Sequence, residues 1–152
     1  MITRVYADTS VFGGAFDAEF QRPTQAFLEQ VRQGLFNLVS SAVVGREIEV
    51  APPHVRASYD DLISLAEIVD VTEEALALRS AYLEADIVGQ RCSDDALHVA
   101  LATVSRCPLI VSWNFKHIVH QRKIPLYNAV NVLRGFSAIA IHSPAEVIEY
   151  DE

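Results

Sequence analysis

No apolar run in this chain approaches the roughly 20 residues that cross a bilayer, so neither a membrane-spanning helix nor a membrane partner is expected. The start, Met1-Ile2-Thr3-Arg4, lacks a charged leader and an apolar stretch with a small-residue cleavage site, which makes the cytoplasm the default location. Cysteine is scarce. Cys92 and Cys107 are too few and too irregularly placed for a disulfide framework or a zinc finger, and each reads as an inert, small apolar residue. Basic residues are outnumbered, 12 Lys and Arg against 20 Asp and Glu, for a formal net charge of −8. That balance speaks against a protein that coats nucleic acid through a broad basic surface. It leaves open an enzyme that brings metal ions to a phosphodiester. Repeats, low-complexity tracts and linkers are missing as well.

What is present is a chain of 152 residues, 51% of them hydrophobic, long enough to bury a substantial core as one domain over 1–152. Arg4-Val5-Tyr6-Ala7 reads as a short buried strand, followed by a polar segment with Gly13-Gly14. Pro23 opens a helix through Phe27, Leu28 and Val31 that stops at Gly34. A second strand covers 35–39, and Ser40 and Ser41 suit the cap of a helix carrying Val43, Val44, Glu47 and Ile48. Pro52-Pro53 separates it from a further helix. A short strand at 68–71 precedes a helix capped by Thr72, with Glu73 and Glu74 in its first turn. Ser93 is expected to cap a helix from Asp94 to about Ser105, and 109–113 is the most strand-like run of all. A short helix near 127–133, a strand at 138–141 and a last helical turn at 143–146 complete the chain. Alternating strands and helices predict an α/β fold, a doubly wound α/β/α sandwich with a mainly parallel central sheet.

In such a sheet, strand C-termini and the following helix N-termini share one rim. Asp8 follows the first strand, Glu47 lies two turns into the helix after the second, Asp94 and Asp95 open the helix before the Leu109 strand, and Asn114 follows that strand. Three carboxylates brought within a few ångströms repel strongly unless protonated or bridged by cations. Oxygen-only ligands suit Mg²⁺ or Mn²⁺ better than zinc, and metals so held polarise a phosphate and activate water. Duller readings stand beside these. Asp94 reads first as a helix-dipole acid, Asp8 as an acidic turn residue, and Glu47 as a helix-surface acid like Glu49. Two residues apart, Glu47 and Glu49 point to different faces.

Tyr6-Ala7-Asp8-Thr9-Ser10-Val11, the segment from Ser41 to Glu47, Asp95-Ala96-Leu97-His98-Val99-Ala100 and 109–118 together resemble the PIN-domain family, most closely its VapC-type toxin ribonucleases. The order and spacing fit over essentially the whole chain. The resemblance implies a PIN-like sandwich and an acidic quartet that holds Mg²⁺ or Mn²⁺ to hydrolyse RNA. Asp8, Glu47 and Asp95 take three of its places, with Thr9, Ser10, Asp94 and Ser112 in support. The fourth place usually carries Asp; here Asn114 offers an amide oxygen without charge, so a second metal is expected to be held more weakly, or the site to rely on one. The resemblance also implies a cognate antitoxin protein and a possible homodimer.

Beyond the fourth strand lie Trp113, Phe115, Lys116, His117, His120, Arg122 and Lys123. A single-stranded RNA can stack on an exposed aromatic and meet such cations at its phosphates. Lys116 and Arg122 are candidate phosphate contacts, and Arg46 a weaker one. The two aromatics read first as core residues. His117 and His120, three apart, evoke zinc, but no Cys or third His accompanies them, so no metal role is expected there. His98 reads as a hydrogen-bonded packing residue rather than a general base. Two other functions compete with a toxin ribonuclease. One is a PIN-like module that binds RNA or a protein without cleavage. The other is a phosphoacceptor receiver, against which stand Asp70, placed inside its strand, and the absence of Lys after Ile141.

Overall fold

The computed structural model describes residues 2–150. Its strands are β1 (Thr3–Ala7), β2 (Phe36–Ser41), β3 (Glu67–Val69), β4 (Leu109–Val111) and β5 (Ala140–His142), which form one sheet in the order β3-β2-β1-β4-β5. Every pairing is parallel. Parallel strands need long crossovers, and here helices supply them: α1 (Thr9–Gly14) and α2 (Gln21–Arg32), α3 (Ala42–Glu49) and α4 (Pro53–Ile63), α5 (Glu73–Glu84) and α6 (Ser93–Val104), then α7 (Lys123–Leu133). A terminal turn, α8 (Pro144–Val147), packs on α2. Val5, Tyr6 and Ala7 of β1 are fully buried, as a central strand covered on both faces must be. The expected α/β sandwich is therefore the observed one. Among the described residues no helix is long and apolar enough to cross a membrane.

The caps follow side-chain chemistry. Ser41 accepts from the Val44 N–H at the start of α3, Thr72 from the Ala75 N–H at the start of α5, and Ser143 with Glu146 closes a capping box on α8. Elsewhere the structure departs from the sequence reading. The Gly13-Gly14 segment is helix α1, because Val11 and Phe12 are buried in the core and draw the chain into a turn around them. Ser93 is not the cap of α6; a 3₁₀ turn over Gln90–Cys92 runs straight into that helix. β4 stops at Val111 rather than Trp113, because Trp113 N–H bonds the Ser10 hydroxyl and Asn114 N–H bonds the Ser112 hydroxyl, outside any ladder. α7 begins at Lys123 instead of near Tyr127, and β5 runs from Ala140 to His142. Asp70 follows β3 rather than lying inside it, but β3 is a sheet edge, far from the central position a receiver's acceptor needs.

Strand order reverses at β1, where β2 lies on one side and β4 on the other. In open α/β sheets, the crevice beyond the strand ends at such a switch point is where ligands bind. Asp8 N–H donates to the Val111 carbonyl and Ser112 N–H to the His142 carbonyl, so both loops leave the sheet side by side.

Candidate functional site

Asp8 occupies the N-cap position of α1 with extended backbone, yet its side chain does not cap the helix. Its carboxylate instead accepts the Ser10 hydroxyl on Oδ1 at 2.5 Å and the Ser112 hydroxyl on Oδ2 at 2.7 Å. Each oxygen keeps a further lone pair. The two serines are themselves held: Ser10 Oγ accepts Trp113 N–H, and Ser112 Oγ accepts Asn114 N–H, both at 2.9 Å. Asp8 is 4% exposed. Burial pushes its carboxyl above the ordinary range, and Asp95 adds to this. The charge of His98 and the two serine hydroxyls act in the opposite sense.

Glu47 faces the same rim from α3. It accepts Thr9 Oγ1 at 3.1 Å and His98 Nε2 at 2.6 Å, whereas Glu49 on the other face is exposed. Burial alone would raise the Glu47 carboxyl. The bond and charge of His98, with Thr9 and Arg46, bring it below its usual value. His98 on α6 is 2% exposed. Burial disfavours its charged form, but Glu47, Asp8 and Asp95 outweigh that and raise its pKa. A protonated His98 donates through both nitrogens, to Glu47 and to the Tyr6 hydroxyl at 2.7 Å. Tyr6 reaches Ser41 Oγ at 2.8 Å, and Ser41 caps α3. One buried chain of hydrogen bonds thus links the acidic rim to the helix that carries Glu47.

Asp95, half-buried in the first turn of α6, opposes the ionisation of Asp8 and favours the charged forms of His98 and His117. Asp94 is exposed, as a helix-dipole acid would be. Asn114 turns its amide oxygen to the His117 N–H at 2.9 Å, where it caps the following turn. Lys116, Arg122 and Arg46 are exposed. The aromatics divide: Trp113 is half-buried, stacked on Phe20 at 4.2 Å between centroids and bonded through Nε1 to Thr24, while Phe115 is 47% exposed. Sequence reasoning missed the charge role of His98 and the support from Tyr6. The run Asp95-Ala96-Leu97-His98 held the first signal, since residues three apart share a helix face. It also missed that Cys92 does accompany His117, with Sγ 3.2 Å from Nε2. His117 lies beside Lys123, and its pKa is lowered, by burial first and then by that charge.

The donor set of Asp8, Glu47 and Asp95 consists of carboxylate oxygens alone. Such oxygens suit a hard divalent cation, and Asp8 is buried, ionises at a cost, and keeps lone pairs free. Among the described residues, however, the three ligand atoms that lie within 4.8 Å of one another belong not to this trio but to Asp95, Cys92 and His117. The five-stranded all-parallel sheet flanked by helices is a PIN-like α/β/α sandwich. Among solved structures, the chain is similar to a chain of the VapBC2 complex from Rickettsia felis bound to a DNA fragment from its promoter. The TM-score is 0.58 at 15% identity, over 93% of this chain and 98% of that one, a likeness of fold. No protein-family model matches the sequence, and no match was found among curated proteins.

Proposed function

We propose that this protein is a Mg²⁺- or Mn²⁺-dependent endoribonuclease, the toxin of a toxin–antitoxin pair. The observation that carries the reading is a buried carboxylate, Asp8, at the switch point of the sheet. Asp95 repels it, and Glu47 faces the same rim. Asp8, Asp95 and Glu47 would hold the cation, and Asn114 makes a weaker fourth partner because its oxygen already serves the His117 turn. When bound, the ion supplies a Lewis acid for the phosphate and a more acidic water. Thr9 and His98 fix Glu47, while Ser10 and Ser112 fix Asp8, so the acids keep one orientation as RNA arrives. Lys116 and Arg122, with Arg46 more remote, would meet phosphates, and exposed Phe115 offers a face for a base to stack on.

A cytoplasmic site of action, an antitoxin whose peptide covers the acidic rim, and a homodimer accompany this reading. The similarity to a chain of a VapBC2 assembly supports the partner. Purified protein with Mn²⁺ and labelled RNA tests the activity: wild type cleaves, and Asp8→Ala loses on the order of a hundredfold or more. Cleavage that persists in Asp8→Ala refutes the site. No cleavage by wild type favours the second reading, a module that binds without cutting, to which Asn114 in the fourth acidic place lends support. Growth after induction tests the toxin: arrest with wild type, none with Asp95→Asn.

A further inference from the structure

At the N-terminal end of α6, three ligand atoms of different chemistry meet. Cys92 ends the 3₁₀ turn before α6, Asp95 sits one turn on, and His117 comes from the loop after β4. Their Sγ, carboxylate O and ring N lie within 4.8 Å of one another. We propose that Cys92, Asp95 and His117 form a second metal site that takes a thiophilic divalent transition ion, by its ligand chemistry Zn²⁺.

The geometry is close to what such an ion requires. With Zn–S near 2.3 Å and Zn–N near 2.0 Å, a tetrahedral ion separates S and N by roughly 3.5 Å. Here Cys92 Sγ and His117 Nε2 are 3.2 Å apart, so the pair opens by a few tenths of an ångström, roughly the difference between those spacings. One thiolate, one carboxylate and one neutral imidazole balance a charge of +2. Binding releases the thiol proton to solvent. The N-terminus of α6 favours both anionic ligands on it. All three residues are half-buried, which leaves a fourth position for water. A hard ion would not choose sulfur and imidazole over the neighbouring carboxylates; a borderline-soft one does. Lys123 Nζ, 3.4 Å from His117 Nδ1, opposes the ion by its charge and by favouring the wrong tautomer, and it must swing aside. The site shares only Asp95 with the acidic rim, and it stands or falls separately from the nuclease reading.

Cobalt titration of the full chain reads the site directly, because a thiolate bound to Co²⁺ gives a charge-transfer absorption that carboxylates do not. Cys107 does not compete: it is fully buried and its thiol is pushed up to about 11. Wild type should develop the band to saturation and lose it to added Zn²⁺. Cys92→Ser, nearly the same shape, should show none while its circular dichroism matches wild type. His117→Gln should weaken Co²⁺ binding by a factor on the order of ten to a hundred, and Lys123→Gln should tighten it. Asp8→Asn should keep the band. Absence of the band in folded wild type, its survival in Cys92→Ser, or its loss in Asp8→Asn overturns the proposal. So does unchanged binding in His117→Gln or in Lys123→Gln.

Discussion

Ser112 and His98 show how single side chains hold Asp8 and Glu47 in place. Ser112 gives its proton to Asp8 and takes one from the Asn114 backbone. Ser112→Ala strips a donor from a buried carboxylate and orphans a backbone N–H, each worth about 1–3 kcal/mol. The variant should melt lower than wild type and cleave RNA about tenfold or more slowly; wild-type values for both would show that Asp8 does not depend on this hydroxyl. A protonated His98 favours the ionised forms of both Glu47 and Asp8. His98→Gln retains a hydrogen-bonding side chain but removes that charge. Because the Glu47 side chain is 36% exposed, water screens that end of the pair, and the loss should be about 1–2 kcal/mol rather than the larger value of a sealed pair. Chemical denaturation in chelator measures it, and a variant as stable as wild type would mean that the imidazole is neutral in the fold.

At the scale of elements, α1 carries the least expected piece of structure. Its last residue, Gly14, lies against the indole of Trp113: a Cβ there would stand 2.6 Å from Nε1 and 2.8 Å from Thr24 Oγ1. Neither neighbour yields easily, since the ring is stacked on Phe20 and bonded to Thr24. Gly14→Ala should therefore displace Trp113, shift the emission of this single tryptophan, and cost about 1–3 kcal/mol as overpacking does. An unmoved spectrum with unchanged stability would refute the close approach. The same helix explains what was legible in sequence. Strands of buried apolar residues, the caps at Ser41 and Thr72, and Asp8 at a strand end all announce themselves locally. The helix over 9–14 does not, because its glycines signal a loop and only tertiary contact at Val11 and Phe12 decides otherwise. Cys92 beside His117 was illegible for the same reason, being made by two segments that meet only once the sheet is wound. Asp8 and Glu47 on one rim were legible because the doubly wound topology fixes which strand ends lie side by side, whereas the partners of Asp95 depend on side-chain packing that topology does not set.

For the molecule as a whole, the acids and His98 set a pH dependence that metal should invert. Glu47 has a lowered folded-state pKa, so its contribution is present above its ordinary 4.5 and is lost as pH falls through the folded value. His98 has a raised one; its contribution is complete below its ordinary 6.5 and disappears as pH rises through the folded value. Asp8 is raised as well, so ionising it in the fold takes stability away with rising pH. In chelator the Glu47 and His98 contributions should thus be fullest together between about pH 4.5 and 6.5, with Asp8 subtracting as pH rises above its ordinary 3.8 and His98 subtracting as pH rises through its raised folded-state value. On the proposed reading, a divalent cation would replace the charge that His98 loses on deprotonation. Saturating Mg²⁺, at about 100 times its Kd, adds about 2.7 kcal/mol. Since affinity for the cation rises as protons leave the rim, the gain at a fixed Mg²⁺ concentration should be larger at about pH 8 than at about pH 6. Thermal melts across that range, with chelator and with Mg²⁺, test this in wild type and in Asp8→Asn. A gain independent of pH, or one that survives in Asp8→Asn, would place the cation elsewhere, because only these buried acids couple its binding to the protons of His98 and Asp8.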